Sequence, residues 1–351
     1  MRAFITGATG LVGSHLTEQL VAQGHTVRAL ARTSSDTSFL RTLDVEIVYG
    51  DVLDLQSLVR ATRGQEVAFH CAALMPVSSA SEALYTTNVR GTENLLRACV
   101  ANKVKRLVYL SSIAVYGYRS LLDADENTPL IPNGWYSTSK IKAEQLIRAC
   151  HREQGLEFVI LRPCGIYGVR DNLFLPNLLN CHWWRPVPLA DGGRYIIDFV
   201  DAAQVATALI AAAIRPRANG RVYHVTDGVS VTFRQFVQII GDLRGQPLPT
   251  LSLPCRMMRL GVSAISAATR VWNNRLALPL NAEAVQAIST HQHFDISRAK
   301  KELDYQPPTD FRRGLQRALD WLKSQQSACL HPDSGGGKPH PYAWPISSEH
   351  N

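Results

Sequence analysis

The stretch "ITGATGLVGSHL", residues 5–16, decides how this chain is read. A short β-like run leads into three glycines, Gly7, Gly10 and Gly13, each three residues from the next, and a helical pattern follows. So tight a strand-to-helix turn needs residues without Cβ, because backbone must approach a pyrophosphate whose charge is met by the helix N-terminus. A purely structural turn does not explain three glycines on one side of the same turn. The candidate dinucleotide contacts are therefore Gly7, Thr9, Gly10, Leu11, Val12 and Gly13.

Outward from this turn the first half alternates β-rich runs with amphipathic helical stretches. The strands are expected at 2–6, 26–31, 45–50, 67–72, 106–111 and 158–163, with helices at 11–23, 55–62, 82–101 and 136–154. Right-handed crossovers make this an α/β fold, a doubly wound parallel Rossmann sheet. After Arg162-Pro163 the regularity fades into "NLFLPNLLNCHWWRPVPLADGG" (172–193), while 197–214 and 220–228 return to strand and helix patterns. A smaller, discontinuous C-terminal substrate lobe is expected. The division is residues 1–167 plus 195–227 for the nucleotide, 168–194 plus 228–325 for the substrate, and a flexible tail at 326–351, rich in Gly, Pro and Ser.

Composition narrows the function classes. The chain has 351 residues, 46% of them apolar and 19% charged, as in ordinary globular proteins. The formal charge of +8 is dispersed along the chain, so no nucleic-acid partner is expected. The segment "MRAFITGATG" lacks the basic start, apolar stretch and cleavage site of a leader, which points to a cytoplasmic location. Seven cysteines, an odd number with no C-x-x-C pair, read as buried reduced thiols. His291, His293 and the three tail histidines lack companion ligands, so no metal is expected. The apolar run near 257–271 is far shorter than the roughly 18 residues of a membrane span. It reads as a buried or pocket-lining helix, with weak peripheral association through Arg256, Arg259, Arg270 and Arg275 as the rival reading.

Cofactor preference rests on the end of the second strand, "ALARTSS". Where an acid would hydrogen-bond an NAD ribose there is Ala31, followed by Arg32, Thr33 and Ser34, which suit a 2′-phosphate. NADP(H) is favoured over NAD(H). Asp51 in "YGDVLD", with Val52 beside it, stands where a carboxylate could accept from the adenine amino group; its rival role is a helix N-cap.

A nicotinamide cofactor needs a protein group that moves a proton while hydride moves to or from carbon. In "NGWYSTSKIKAEQL" (133–146), Tyr136 and Lys140 lie one turn apart on one helix face. Tyrosine has an ordinary pKa of about 10, and a nearby ammonium is expected to lower it. "YLSSIAVYG" (109–117) supplies Ser111 or Ser112 at the C-terminal end of the fifth strand, where open α/β sheets place their ligands.

With these pieces assembled, the chain resembles the extended short-chain dehydrogenase/reductase superfamily, also called the NAD-dependent epimerase/dehydratase family. The resemblance runs from residue 2 to about 323 through "TGATGLVGSH", "GDVLD", "HCAA", "TTNVRGTENLL", "YLSSIAVYG", "YSTSK", "LRPCGIYG" and "DFVDAAQVA". It implies Ser112 as the catalytic serine, Tyr136 as the acid/base, and Lys140 as its partner and a ligand of the nicotinamide ribose. It also implies that Ala72, Ala73 and Asn88 line the cofactor, that Pro163 and Ile166 flank the nicotinamide, and that the chain forms a homodimer through the helices at 82–101 and 136–154.

Within the superfamily, "VRALARTSSD" and "RATRGQEVAFHCAAL" look like the 3β-hydroxysteroid-dehydrogenase-like, dihydroflavonol-reductase-like and hopanoid-associated epimerase-like branches. Sugar-nucleotide members often carry arginine just before the late "DF", where this chain has Ile197. Trp183, Trp184, Phe174, Leu175 and the apolar helix at 257–271 offer surface for a hydrophobic small molecule, the rival reading of the aromatics being core packing. The expected function is an alcohol/ketone oxidoreductase on an apolar or steroid/polyketide-like substrate. The alternatives are a nucleotide-sugar epimerase and a non-catalytic cofactor-binding protein. Dehydration is disfavoured because Ile113 and Ala114, not an Asp-Glu pair, follow Ser112.

Overall fold

The computed structural model describes residues 1–75, 81–261, 282–308 and 310–330. Among them, seven parallel strands form one sheet: β1 (Arg2–Thr6), β2 (Thr26–Ala31), β3 (Glu46–Tyr49), β4 (Val67–His70), β5 (Arg106–Leu110), β7 (Glu157–Pro163) and β11 (Arg221–Val225). Their order is β3-β2-β1-β4-β5-β7-β11. The chain builds outward from β1 to β3, then returns to the other side of β1 with β4. That reversal creates a crevice at the C-terminal edge between β1 and β4, the general ligand site of open α/β sheets.

The near-continuous apolar strands follow from burial on both faces. In β1, Ala3 and Ile5 enter one core with Val27, Phe69, Val108 and Val159. Phe4 enters the opposite core with Leu30, Ala68, Leu107 and Ile160. The helices that cover these faces include α1 (Leu11–Ala22), α2 (Leu55–Thr62), α3 (Ser81–Tyr85), α4 (Gly91–Ala101) and α5 (Gly134–Gln154). The helix expected at 82–101 is thus interrupted: Thr86–Arg90 is a π turn between α3 and α4.

A second sheet orders β12 (Ser230–Thr232), β10 (Ile196–Asp201), β14 (Gln292–Phe294) and β6 (Leu121–Ala124), with β8 (Gly165–Tyr167) against β10. A separate pair joins β9 (Val187–Ala190) to β13 (Thr250–Leu253). Behind the second sheet lies an aromatic core in which Phe199 and Phe236 stack at 3.9 Å and Phe174 joins them. Leu175 is fully buried in the same core, whereas Trp183 and Trp184 are 81% and 66% exposed. Of these four residues, Phe174 and Leu175 thus follow the core reading, and Trp183 and Trp184 face open solvent. Sequence pattern cannot separate these destinations, because both accept large apolar side chains.

The last helix runs Phe311–Leu330, five residues past the point where an irregular tail was expected, and residues 331–351 lie outside the described residues. Of the apolar stretch near 257–271, residues 255–261 are helical, with Met258 buried and Met257 and Leu260 exposed; 262–281 are not described. No described helix is long and apolar enough to cross a membrane.

One buried ion pair joins the first sheet to its covering helix. Arg162 of β7 donates from Nε to Glu144 Oε1 at 2.9 Å and from Nη2 to Oε2 at 2.5 Å, and both side chains are almost wholly buried. Removing one partner leaves a buried charge uncompensated. Arg162→Met should cost about 3–5 kcal/mol in urea unfolding, and adding Glu144→Leu should recover most of the loss.

Candidate active site

The C-terminal edge of the first sheet gathers the residues singled out from sequence. At the glycine turn, Gly7 has φ +75, and a Cβ there would lie 2.6 Å from Ala72 N, against the exit of β4. A Cβ at Gly13 would lie 2.0 Å from Gly7 O, so α1 can start this close to the turn only without a side chain. Gly10 differs: its Cβ would meet only Gly7 O, at 3.3 Å, and Thr9 and Gly10 are exposed. No side chain caps the first turn of α1, and no acid lies in it. The helix therefore presents uncommitted backbone N–H groups beside an open cradle, which fits a dinucleotide pyrophosphate. Leu11 and Val12 form that first turn.

At the far end of β2, Arg32, Thr33 and Ser34 are exposed, and the Arg32 guanidinium pairs with no described acid. Asp51 accepts from Leu53 N through Oδ1 at 2.9 Å, and Asp54, not Asp51, caps α2 by accepting from Gln56 N. Val52 is buried against Gly91 of α4. Asn88, in the π turn, commits its whole amide. Its Oδ1 accepts from Leu74 N, and its Nδ2 donates to Leu74 O and Ser139 Oγ. It holds the loop after β4, with Ala72 and Ala73, to α5. Pro163 ends β7 and is buried, while Ile166 in β8 is half-buried.

The two serines separate clearly. Ser111 is buried and donates to Glu144 Oε1 at 2.6 Å. Ser112 accepts from Ala114 N at 3.1 Å and is the serine that acts on the Tyr136 phenol, favouring its ionised form. Lys140, 3% exposed, donates from Nζ to Leu110 O at 2.8 Å and lies 4.9 Å from the Tyr109 ring centroid and 5.9 Å from that of Tyr136. Leu84 and Ala114 bury the Tyr136 ring, with Leu74 and Tyr118 packed against them.

Burial dominates the electrostatics of this site. It pushes the Tyr136 phenol up to about 12, against the opposing bond from Ser112, and the Glu283 carboxylate adds to the rise. The lowering of Tyr136 expected from a neighbouring ammonium is not what this geometry produces, because losing water outweighs it. Burial also brings the Lys140 ammonium down to about 8, despite the opposing influence of Cys71 and Glu144. His70 on β4 is held neutral, pushed down to about 3 by burial and then by Lys140. It bridges Thr6 Oγ1 at 2.7 Å and Thr92 Oγ1 at 3.0 Å.

Sequence reasoning missed Glu144, Arg162, His70, Tyr118 and Glu283. Glu144 was within reach: it continues the i, i+4, i+8 face of Tyr136 and Lys140. Arg162, a charge inside an apolar strand, was a similar signal. Glu283 gave none, being about 150 residues from the helix it touches.

The family model described as the NAD dependent epimerase/dehydratase family matches residues 3–226. The chain belongs to this family. Its members include NAD(P)-dependent oxidoreductases, epimerases and dehydratases, and this chain is an enzyme of that extended short-chain type. It is 30% identical to a 4-hydroxy-2-methyl-3-oxo-4-farnesyl-3,4-dihydroquinoline-1-oxide ketoreductase of Stigmatella aurantiaca, over 94% of this chain and 99% of that protein. It is also 30% identical to sterol demethylase protein B of Methylococcus capsulatus, over 93% and 99%. A UDP-glucose 4-epimerase of Thermotoga maritima superposes with a TM-score of 0.75 at 20% identity, over 93% and 99% of the two chains, which establishes the shared fold.

The lowered Lys140 pKa has a thermodynamic consequence. Between about 8 and the ordinary lysine value of 10.5 the unfolded chain holds the proton that the folded chain has released, so stability rises with pH across that window. Lys140→Met should abolish this component, seen as a flatter thermal midpoint between pH 8 and 10 than in the wild type.

Proposed function

We propose that the protein is an NADP(H)-dependent oxidoreductase interconverting a secondary alcohol and a ketone on an apolar, steroid- or polyketide-like molecule. The observation that carries this reading is Tyr136, buried in an apolar collar beside Ser112, with Lys140 on the next turn. When bound, the dinucleotide supplies or accepts the hydride at the substrate carbon. Ser112 holds the substrate oxygen. With its phenol pushed up to about 12, Tyr136 is protonated at neutral pH and donates to that oxygen as the ketone is reduced. Lys140, brought down to about 8, is well matched to restore the proton.

The cofactor contacts we assign are Gly7, Thr9, Gly10, Leu11, Val12 and Gly13 at the pyrophosphate, Asp51 and Val52 near adenine, and Ala72, Ala73, Lys140, Pro163 and Ile166 toward the nicotinamide. Asn88 acts through the loop that it holds. The preference for NADP(H) over NAD(H) rests on exposed Arg32, with Thr33 and Ser34 beside it. The apolar substrate class is supported by the two relatives whose names specify a farnesylated quinoline oxide and a sterol, and by Ile197 in the place of an arginine. We further assign the division into residues 1–167 plus 195–227 and 168–194 plus 228–325, a cytoplasmic location, and a homodimer through the helical surfaces at 82–101 and 136–154.

Loss of NADPH absorbance with a 3-ketosteroid or a 2-alkyl-3-ketoester is the expected activity. Turnover of UDP-glucose to its epimer, with no net change in cofactor, would transfer the assignment to epimerisation. Tyr136→Phe should lower ketone turnover by about 10²–10⁴-fold while NADPH binding, followed by its fluorescence, is retained. In Arg32→Ala, loss of a charge-assisted contact of about 1.5–3 kcal/mol should weaken NADPH roughly 10–100-fold and leave NADH nearly unchanged. Equal losses for the two would remove the stated preference.

A further inference from the structure

The N-terminus of α5 is closed by a helix from far along the chain, Ala282–Ile288. Asn133 occupies the N-cap position, but its side chain caps nothing. Its Nδ2 donates instead to Gly117 O at 3.0 Å and to Gln286 Oε1 at 2.6 Å. Three residues before Gln286, Glu283 brings its carboxylate onto the first turn of α5, against Gly134, where the backbone N–H of Tyr136 favours its ionised form. A Cβ at Gly134, whose φ is +88, would lie 2.1 Å from Glu283 Oε1, so this approach requires glycine. The other oxygen, Oε2, is buried without a hydrogen-bond partner among the described residues.

We propose that Glu283 is a positioning residue for Tyr136: a carboxylate from the C-terminal part of the chain caps the catalytic helix at the residue that moves the proton. Alignment of the phenol then depends on the docking of Ala282–Ile288. The proposal rests on the reading of Tyr136 as the acid/base.

Two effects oppose each other at Glu283. A carboxylate is favoured at a helix N-terminus. Burial is the larger influence, however, and pushes the carboxyl up to about 6 despite the Tyr136 N–H. Among the described residues, the titratable groups that sense Glu283 are Tyr136 on α5 and Tyr118 in the turn after Ser112. Burial pushes both phenols up, and Glu283 adds to each rise. A raised carboxyl pKa means that the folded chain holds the proton more tightly, so this group's share of stability falls as pH rises from about 4.5 to about 6. The ionised cap thus aligns Tyr136 at a cost to the fold.

The test compares Glu283→Gln and Glu283→Ala with the wild type, using NADPH and a 3-ketosteroid, alongside thermal midpoints from pH 4.5 to 8. Glu283→Ala should lower kcat about tenfold with the ketone KM unchanged. Glu283→Gln, whose amide oxygen still accepts the N–H, should lie within about threefold of wild type and lose the rise of kcat through pH 6. Its thermal midpoint should exceed that of wild type above pH 6, a readout that needs no substrate. Should Glu283→Ala fail to fold, the Gln variant decides alone. The proposal is overturned if the Gln variant keeps the limb near pH 6, if its midpoint shows the wild-type pH dependence, or if both variants keep wild-type kcat. Tyr136→Phe measured in parallel separates the two levels: turnover there removes the acid/base reading itself, whereas its inactivity beside normal Glu283 variants removes only the positioning role.

Discussion

The buried fork between Arg162 and Glu144 is the constraint on which the site depends. Glu144 lies one turn beyond Lys140 on α5, and the same carboxylate receives Ser111 from the end of β5. The third guanidinium nitrogen, Nη1, donates to the Tyr116 hydroxyl at 2.7 Å, and that hydroxyl meets His224 Nε2 of β11 at 2.6 Å. Four pieces that are far apart in sequence share one polar network: β7, α5, the turn carrying Ser112, and β11. Two ions taken out of water are costly unless every lone pair and donor is placed, so such a network tolerates few geometries. What it contributes here is definition of position more than net stability. Ser112 and Tyr136 face each other because their neighbours Ser111 and Glu144 are bonded to one another.

Burial also decides the chemical character of the proposed proton site. Considered as isolated groups, Tyr136 and Lys140 suggest a phenolate held by an ammonium. Tyr136, enclosed by Leu74, Leu84, Ala114 and Tyr118, and Lys140, buried beside it, instead both move toward their neutral forms, the phenol upward and the ammonium downward. A neutral phenol beside a lysine that titrates near neutrality is arranged to donate, which suits ketone reduction. The neighbouring elements extend this logic. His70 is kept neutral between two threonines, and Glu283 is kept close to its titration point by the competition between a helix end and the loss of water.

Much of the fold was legible because its local signals are strong. The glycine turn is readable since only residues without Cβ let Gly7 lie against Ala72 and Gly13 against Gly7. The first-sheet strands β1, β2, β4, β5 and β7 are readable since burial on both faces leaves unbroken apolar runs. The second sheet was not legible. Its strands β6, β8, β12 and β14 are three or four residues long and pair across the chain, so no local period marks them. Phe174 and Leu175 left two readings open for a related reason: an apolar side chain records that water is avoided, not whether a core or a ligand replaces it. The rival capping role of Asp51 falls instead to Asp54, three positions further on, which caps α2.

By itself, the sequence determined the Rossmann sheet, the cradle for a dinucleotide, and the candidacy of Ser112, Tyr136 and Lys140, because each rests on contacts or spacings within a few residues. Only the tertiary structure decided which serine meets the tyrosine, that burial and not the lysine sets the state of the phenol, and that Glu283 reaches the helix from the other end of the chain. Desolvation and long-range hydrogen bonds are properties of what surrounds a residue, and the surroundings of Tyr136 come from segments that its own neighbours in sequence do not reveal.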